Sequence, residues 1–198
     1  AFPKMNSSLN NTNPKKNEHV NVTMNVSEEA EGGLSNCQLV INQTGVNQFF
    51  NQTISGTSVQ CSFNFTVSLS RGGTINVTRR VNDTSNNINE TSTVLEVANS
   101  LPTIDAFQPT SASPEFNITN AAINLTFNVT HSTDPDGDTI KIEWVFEGTL
   151  QTVTNQNFSK VFDTTSATPF NVTANLSDGF GNVQQEWSVS IISSAGGG

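Results

Sequence analysis

An asparagine followed two residues later by serine or threonine offers one chemistry above others. Its side-chain amide nitrogen is the attachment point of an N-linked glycan. Sixteen such triplets begin at Asn6, Asn10, Asn21, Asn25, Asn42, Asn51, Asn64, Asn76, Asn82, Asn89, Asn117, Asn124, Asn128, Asn157, Asn171 and Asn175. With 27 Asn among 198 residues, and Ser plus Thr making up about a quarter of the chain, chance would supply about six or seven. In ten of them the central residue is apolar, as in Asn64-Phe65-Thr66, Asn76-Val77-Thr78 and Asn171-Val172-Thr173. Successive side chains of a strand point to opposite faces, so Asn and Ser/Thr would face solvent and the apolar centre a core. Asn21/Asn25, Asn124/Asn128 and Asn171/Asn175 would then lie on one face about 13 Å apart.

Asp134, Asp136 and Asp138 alternate around Pro135 and Gly137. Calcium takes six to eight oxygens at about 2.4 Å, and these carboxylates are candidate ligands, with Asp178 a further one. An EF-hand would also need flanking helices and a Glu six residues beyond the glycine; Glu143 sits there, but as an outward strand residue. The plainer reading is a turn in which Pro135 and Gly137 set dihedrals and the carboxylates cap local amides. Cys37 shares a face with Leu39 and Ile41, and Cys61 with Phe63, Phe65, Val67 and Leu69. Both thiols therefore point into one core. A disulfide there would close a loop of about 24 residues and contribute about 3 kcal/mol; two buried free thiols are the alternative.

Catalysis has no visible constellation. His19 and His131 each flank a strand without a Ser, Cys or acidic partner at an informative spacing. The acidic residues offer no glycosidase pair, and neither Gly72-Gly73 nor Gly179-Phe180-Gly181 precedes a helix as a phosphate cradle would. Trp144 and Trp187 read as core, with sugar stacking the lesser alternative. A net charge of −9 with eight Lys and Arg argues against a nucleic-acid partner. No run reaches the 18 or so apolar residues of a membrane-crossing helix. The chain begins Ala1-Phe2-Pro3 without a signal peptide, as expected of a mature chain trimmed after secretion or cut at a domain edge.

The elements that would position these residues repeat. Residues 20–42 align without a gap on 123–145, sequons included, and residues 75–83 align on 170–178. The spacing between these blocks is eight residues longer in the first copy, which places an insertion around 45–57. Alternation predicts strands at about 19–27, 37–42, 59–70, 74–82 and 91–98. In the second copy it predicts them at about 103–108, 121–131, 139–147, 158–163, 169–177 and 186–193. Turn signals at Gly32-Gly33, Gly72-Gly73, Asp136-Gly137 and Asp178-Gly179 separate them. The expected architecture is all-β: two tandem immunoglobulin-like antiparallel sandwiches over 1–100 and 101–194, with a flexible Gly-rich end at 195–198. Residues 1–17, carrying Phe2, Met5 and Leu9, read either as the first strand of their own domain or as a segment donated to a neighbouring sheet.

The second copy resembles a PKD-type immunoglobulin-like domain. The residues that carry the likeness are Asp134-Pro135-Asp136-Gly137-Asp138, then Ile140, Ile142, Trp144 and Phe146, and later Leu176-Ser177-Asp178-Gly179. Such domains usually follow the Trp strand with a Gly-Asp-Gly turn, where this chain has Glu147-Gly148-Thr149; the first copy lacks the acidic motif. The resemblance implies an extracellular, non-enzymatic module. The sequon density also resembles surface glycoproteins and filament subunits of archaea. The expectation is a structural, glycosylated subunit of an extracellular filament or surface layer that self-associates into a polymer or lattice. The alternative is a calcium-dependent adhesin or a carbohydrate-binding accessory module of a larger secreted protein.

Overall fold

A computed structural model describes residues 2–29, 33–118 and 122–193. The Gly-rich end at 195–198, Gly32 of the first turn signal and Thr119 of the Asn117 triplet lie outside the described residues. Every regular element among the described residues is a strand. The chain divides into two compact units, Ala1–Ser100 and Leu101–Gly198.

Unit 1 contains β1 (Lys4–Leu9), β2 (His19–Ser27), β3 (Leu34–Asn42), β4 (Asn47–Thr53), β5 (Ser58–Thr66), β6 (Thr74–Asp83) and β7 (Ile88–Glu96). They form sheets of order β1-β2-β5 and β4-β3-β6-β7, the two-layer arrangement of an immunoglobulin-like sandwich. The core lies between the sheets because each contributes its alternate apolar residues. Val20, Val22, Met24 and Val26 come from β2, Leu39 and Ile41 from β3, and Ile75, Val77 and Val81 from β6. The turn from β5 to β6 needs its glycines: Gly72 has φ +74°, and a Cβ on Gly73 would stand 2.8 Å from that of Leu69.

Unit 2 contains β8 (Thr103–Ile104), β9 (Glu115–Ile118), β10 (Ile123–Asn128), β11 (Ser132–Thr133), β12 (Lys141–Phe146), β13 (Thr149–Leu150), β14 (Asn157–Phe162), β15 (Phe170–Ser177) and β16 (Asn182–Ser193). Its sheets are β10-β14, β8-β11 and the five-stranded β13-β12-β15-β16-β9.

Five strands escaped the alternation rule, β1 and β4 because their period is broken and β9, β11 and β13 because they are too short to show one. Ser7 of β1 and Gln52 of β4 face inward, so the polar–apolar period is broken, and β9 has only four residues. β4 is the insertion expected around 45–57; its counterpart β13 has two residues. The 103–108 strand shrinks to β8 plus an isolated Gln108–Asn128 bridge. The pairing also departs from the sequence alignment by two residues. Ile41 pairs with Val77, but Val172, aligned with Val77, pairs with Phe146 rather than with Trp144. An even shift keeps the same residues facing inward, so the core tolerates it.

Residues 4–9 are paired in their own unit, from Lys4 opposite Ser27 to Leu9 opposite Val22. Within the single chain the segment thus serves as the first strand of its own unit. Met5 and Leu9 pack against the core only partly buried, and Phe2 is exposed.

Candidate functional site

The sequons occupy strand faces in all four main sheets. Nine of the ten apolar centres are buried (Val22, Val26, Phe65, Val77, Leu125, Val129, Phe158, Val172 and Leu176), and the tenth, Ile118, packs against the core partly buried. Every sequon asparagine is exposed or half-exposed. Alternation is the cause: burying the central residue turns its two neighbours outward.

Several polar centres obey the same geometry with a different partner. Gln43 faces inward, donates to Thr66 O at 2.9 Å and accepts from the Ser68 amide at 2.8 Å. Asp83 closes the β6–β7 turn, accepting the side-chain amide of Asn87 at 2.7 Å and the amides of Ser85 and Asn87 at 2.8 Å. These donors, led by the Asn87 side chain, hold its carboxyl below the usual range against an opposing desolvation. Asn89 reverses the pattern. On β7 Leu95 faces the core, so Thr93 and Asn89 do too, and Asn89 Nδ2 donates to the Pro3 carbonyl at 2.9 Å.

Outward residues of unit 1 form polar rungs across the sheet. Along one rung Arg80 pairs with Glu90 and donates to Gln38 Oε1 at 3.3 Å, and Gln38 Nε2 donates to Asn51 Oδ1 at 2.8 Å. Because Arg80 can only donate, Gln38 must present its oxygen to it and its nitrogen to Asn51. That fixes the amide of Asn51, with its oxygen held and its nitrogen turned away from β3. The next outward rung sets Val40 opposite Phe49, and on the one beyond it Asn42 Nδ2 donates to Asn47 Oδ1 at 2.9 Å.

The acidic turn draws together what the spacing suggested. Oxygens of Asp134, Asp136 and Asp138 lie within 4.8 Å of one another. Asp134 Oδ1 accepts the amides of Asp136 at 2.8 Å and Asp138 at 3.2 Å, and its Oδ2 is buried without a hydrogen-bond partner among the described residues. The turn reading and the ligand reading are thus both expressed in one side chain. Asp178 does not join the cluster; its Oδ1 caps the amides of Phe180 and Gly181 at 2.7 and 2.6 Å. Three one-oxygen ligands fall short of a calcium shell, so solvent or backbone would have to complete it.

Cys37 and Cys61 form a disulfide with Cα atoms 6.5 Å apart, joining β3 of one sheet to β5 of the other. His19 and His131 are exposed at strand ends. Trp144 and Trp187 are core: their Nε1 atoms donate to Asn155 O at 2.9 Å and Pro109 O at 2.8 Å.

The residue that sequence reasoning missed is Arg79. It stands on the inward face of β6 between Val77 and Val81, 4% exposed, donating to Ser7 Oγ at 3.1 Å and to Thr93 Oγ1. Its Nε has no partner among the described residues, and desolvation pulls its pKa down. The period of β6 had already marked it as inward.

No protein family matches the chain, and no curated protein does. Among solved structures, it is similar to an ICAM-5 D1–D4 ectodomain fragment (12% identity, TM-score 0.47, 95% of this chain and 54% of that one). It is also similar to a titin A168–A169 structure (12%, TM-score 0.39, 97% and 100%). A bacterial ice-binding adhesin matches at 14% and TM-score 0.36, over 96% of this chain and 65% of that one. The chain therefore spans about half the length of the ICAM-5 fragment. Its immunoglobulin-like character follows from the strand order described above.

Proposed function

We propose that this chain is a structural, non-enzymatic, densely N-glycosylated subunit of an extracellular filament or surface layer. The observation that carries this reading is the outward presentation of most sequon asparagines on all four main sheets, with their apolar central residues in or against the cores. Sugars so placed would cover faces that an enzyme or receptor needs bare, and would hinder edge-to-edge aggregation and proteolysis. The inter-sheet disulfide suits an oxidising, extracellular compartment.

Assembly by strand addition would use β1. Its apolar contribution is two partly buried side chains, and its pairing with β2 and its Ser7 contact are ones that a neighbouring copy's first strand would reproduce in exchange. Negative-stain imaging of native material tests the filament: monodisperse monomers would sink it. A Lys4→Cys/Ser27→Cys lock between directly opposed residues tests strand exchange; unimpaired filaments from the locked protein would exclude that route.

A second reading, a calcium-dependent adhesin, is favoured by the unpartnered Asp134 Oδ2 beside two further carboxylates. Calcium should then raise the melting temperature of unit 2 and chelator lower it. An unchanged melting curve would remove this reading.

A further inference from the structure

Five large apolar residues stand more than half exposed on strands: Phe49, Ile88, Val94, Leu150 and Val161. Exposed apolar side chains on strands are an aggregation hazard. Four of these five neighbour a sequon asparagine. Ile88 is directly opposite Asn82 and Val94 opposite Asn76. Val161 is opposite Asn124. Phe49 lies two residues before Asn51 on the same outward face of β4, about 7 Å away.

Phe49 carries the argument furthest. It is 57% exposed and belongs to the edge strand of its sheet. The Arg80–Gln38–Asn51 rung holds the Asn51 oxygen toward β3 and leaves the attachment nitrogen without a protein partner among the described residues. Such an amide is presented for modification. By contrast, the nitrogen of Asn89 is spent on the Pro3 carbonyl.

We infer that Asn51 carries a glycan whose first sugar rests on the ring of Phe49, and that Ile88, Val94 and Val161 serve the sugars of Asn82, Asn76 and Asn124 in the same way. The C–H face of a pyranose is apolar, and laying it on the aromatic ring removes both surfaces from water. The glycans are then packed parts of the fold rather than freely hanging chains. This rests on the glycosylation proposed above.

The test uses native glycosylated protein and a double-mutant cycle. Glycopeptide mass spectrometry should find Asn51 occupied. Phe49→Ala should lower the melting temperature of unit 1 by about 4 °C where Asn51 carries sugar, and leave it unchanged in an Asn51→Gln background. Ring protons of the first sugar on Asn51 should resonate upfield of those on Asn64, and lose that shift in Phe49→Ala. The inference is overturned if Asn51 is bare while Asn21, Asn64 and Asn76 are occupied, or if Phe49→Ala acts equally in both backgrounds. If no sequon carries sugar anywhere, the glycosylation itself is wrong, which is a different result from either.

Discussion

The two units bury their centres by opposite means. Unit 1 has a largely aliphatic core, with Phe65 as its buried aromatic residue, pinned between sheets by Cys37–Cys61, with no tryptophan and a buried arginine. Unit 2 has no cysteine. Between β12 and β14, the strands corresponding to those the disulfide joins, Trp144 stacks on Phe158 with ring centroids 5.5 Å apart. Trp144 also stacks on Trp187 at 5.9 Å, and Phe127 meets Trp187 edge-on at 5.3 Å. A covalent staple and an aromatic stack thus solve one problem, the tying of two sheets. The staple acts largely by restricting the unfolded chain. The stack acts by area buried and ring packing in the folded state.

Their edges differ in the same spirit. In both units the first strand leaves one sheet for the other. In unit 1 it stays with β2 for six residues and reaches the far sheet only at a Lys15–Ala98 bridge. In unit 2 the early pairing is short, and β9 runs parallel to β16 over four residues. Arg79 lies beside the less covered edge, and the residue aligned with it, Ala174, lies fully buried in unit 2. The Arg79 guanidinium links β6 to β1 and β7 in unit 1, at a position where unit 2 has only a methyl group.

The sharpest way to break the comparison is Trp144→Ala. It should cost unit 2 about 4 kcal/mol, read as an early loss of the remaining Trp187 fluorescence, while unit 1's calorimetric transition stays put. Equal loss in both units would show that the cores are not independent. Next in size is the disulfide. Cys37→Ser/Cys61→Ser should cost unit 1 about 3 kcal/mol in a transition invisible to tryptophan fluorescence, since both tryptophans lie in unit 2. Smaller and of opposite sign is Arg79→Met. With hydroxyls as its only partners among the described residues, the buried cation should give way to a matched apolar chain with a gain of about 1 kcal/mol. A loss of that size would instead show that the Ser7 and Thr93 bonds outweigh desolvation.

The smallest effect is one of pH. The folded pKa of Asp83 is lowered, so its contribution is present above the unfolded value of about 3.9 and is lost as pH falls through the lower folded one. Unit 1 of the native protein should therefore lose more stability between about pH 4 and pH 2 than an Asp83→Asn variant. Parallel titration curves would remove Asp83 from the account.

Much of this was legible before any coordinates. Asn21-Val22-Thr23 and its kin declared their faces through period 2, and Cys37 and Cys61 declared a shared core by the company they kept. Asn89 shows where such reading stops. Its triplet looks like the rest, yet its amide faces inward, because Leu95 sets the phase of β7 from six residues away. Asp178 is a similar case: it was a candidate further ligand for the Asp134, Asp136 and Asp138 cluster, and its own turn claimed the oxygen.

Alternation along the chain determined which face each residue shows, because that follows from local backbone geometry. It therefore determined the strand class, most of the outward sequons and the inward face shared by Cys37 and Cys61. Only the tertiary structure decided which edge each strand joins, how β4 extends its sheet, where Arg79 finds its hydroxyls and which way the Asn51 amide turns. Those choices depend on hydrogen-bond partners distant in sequence, and no local period records them.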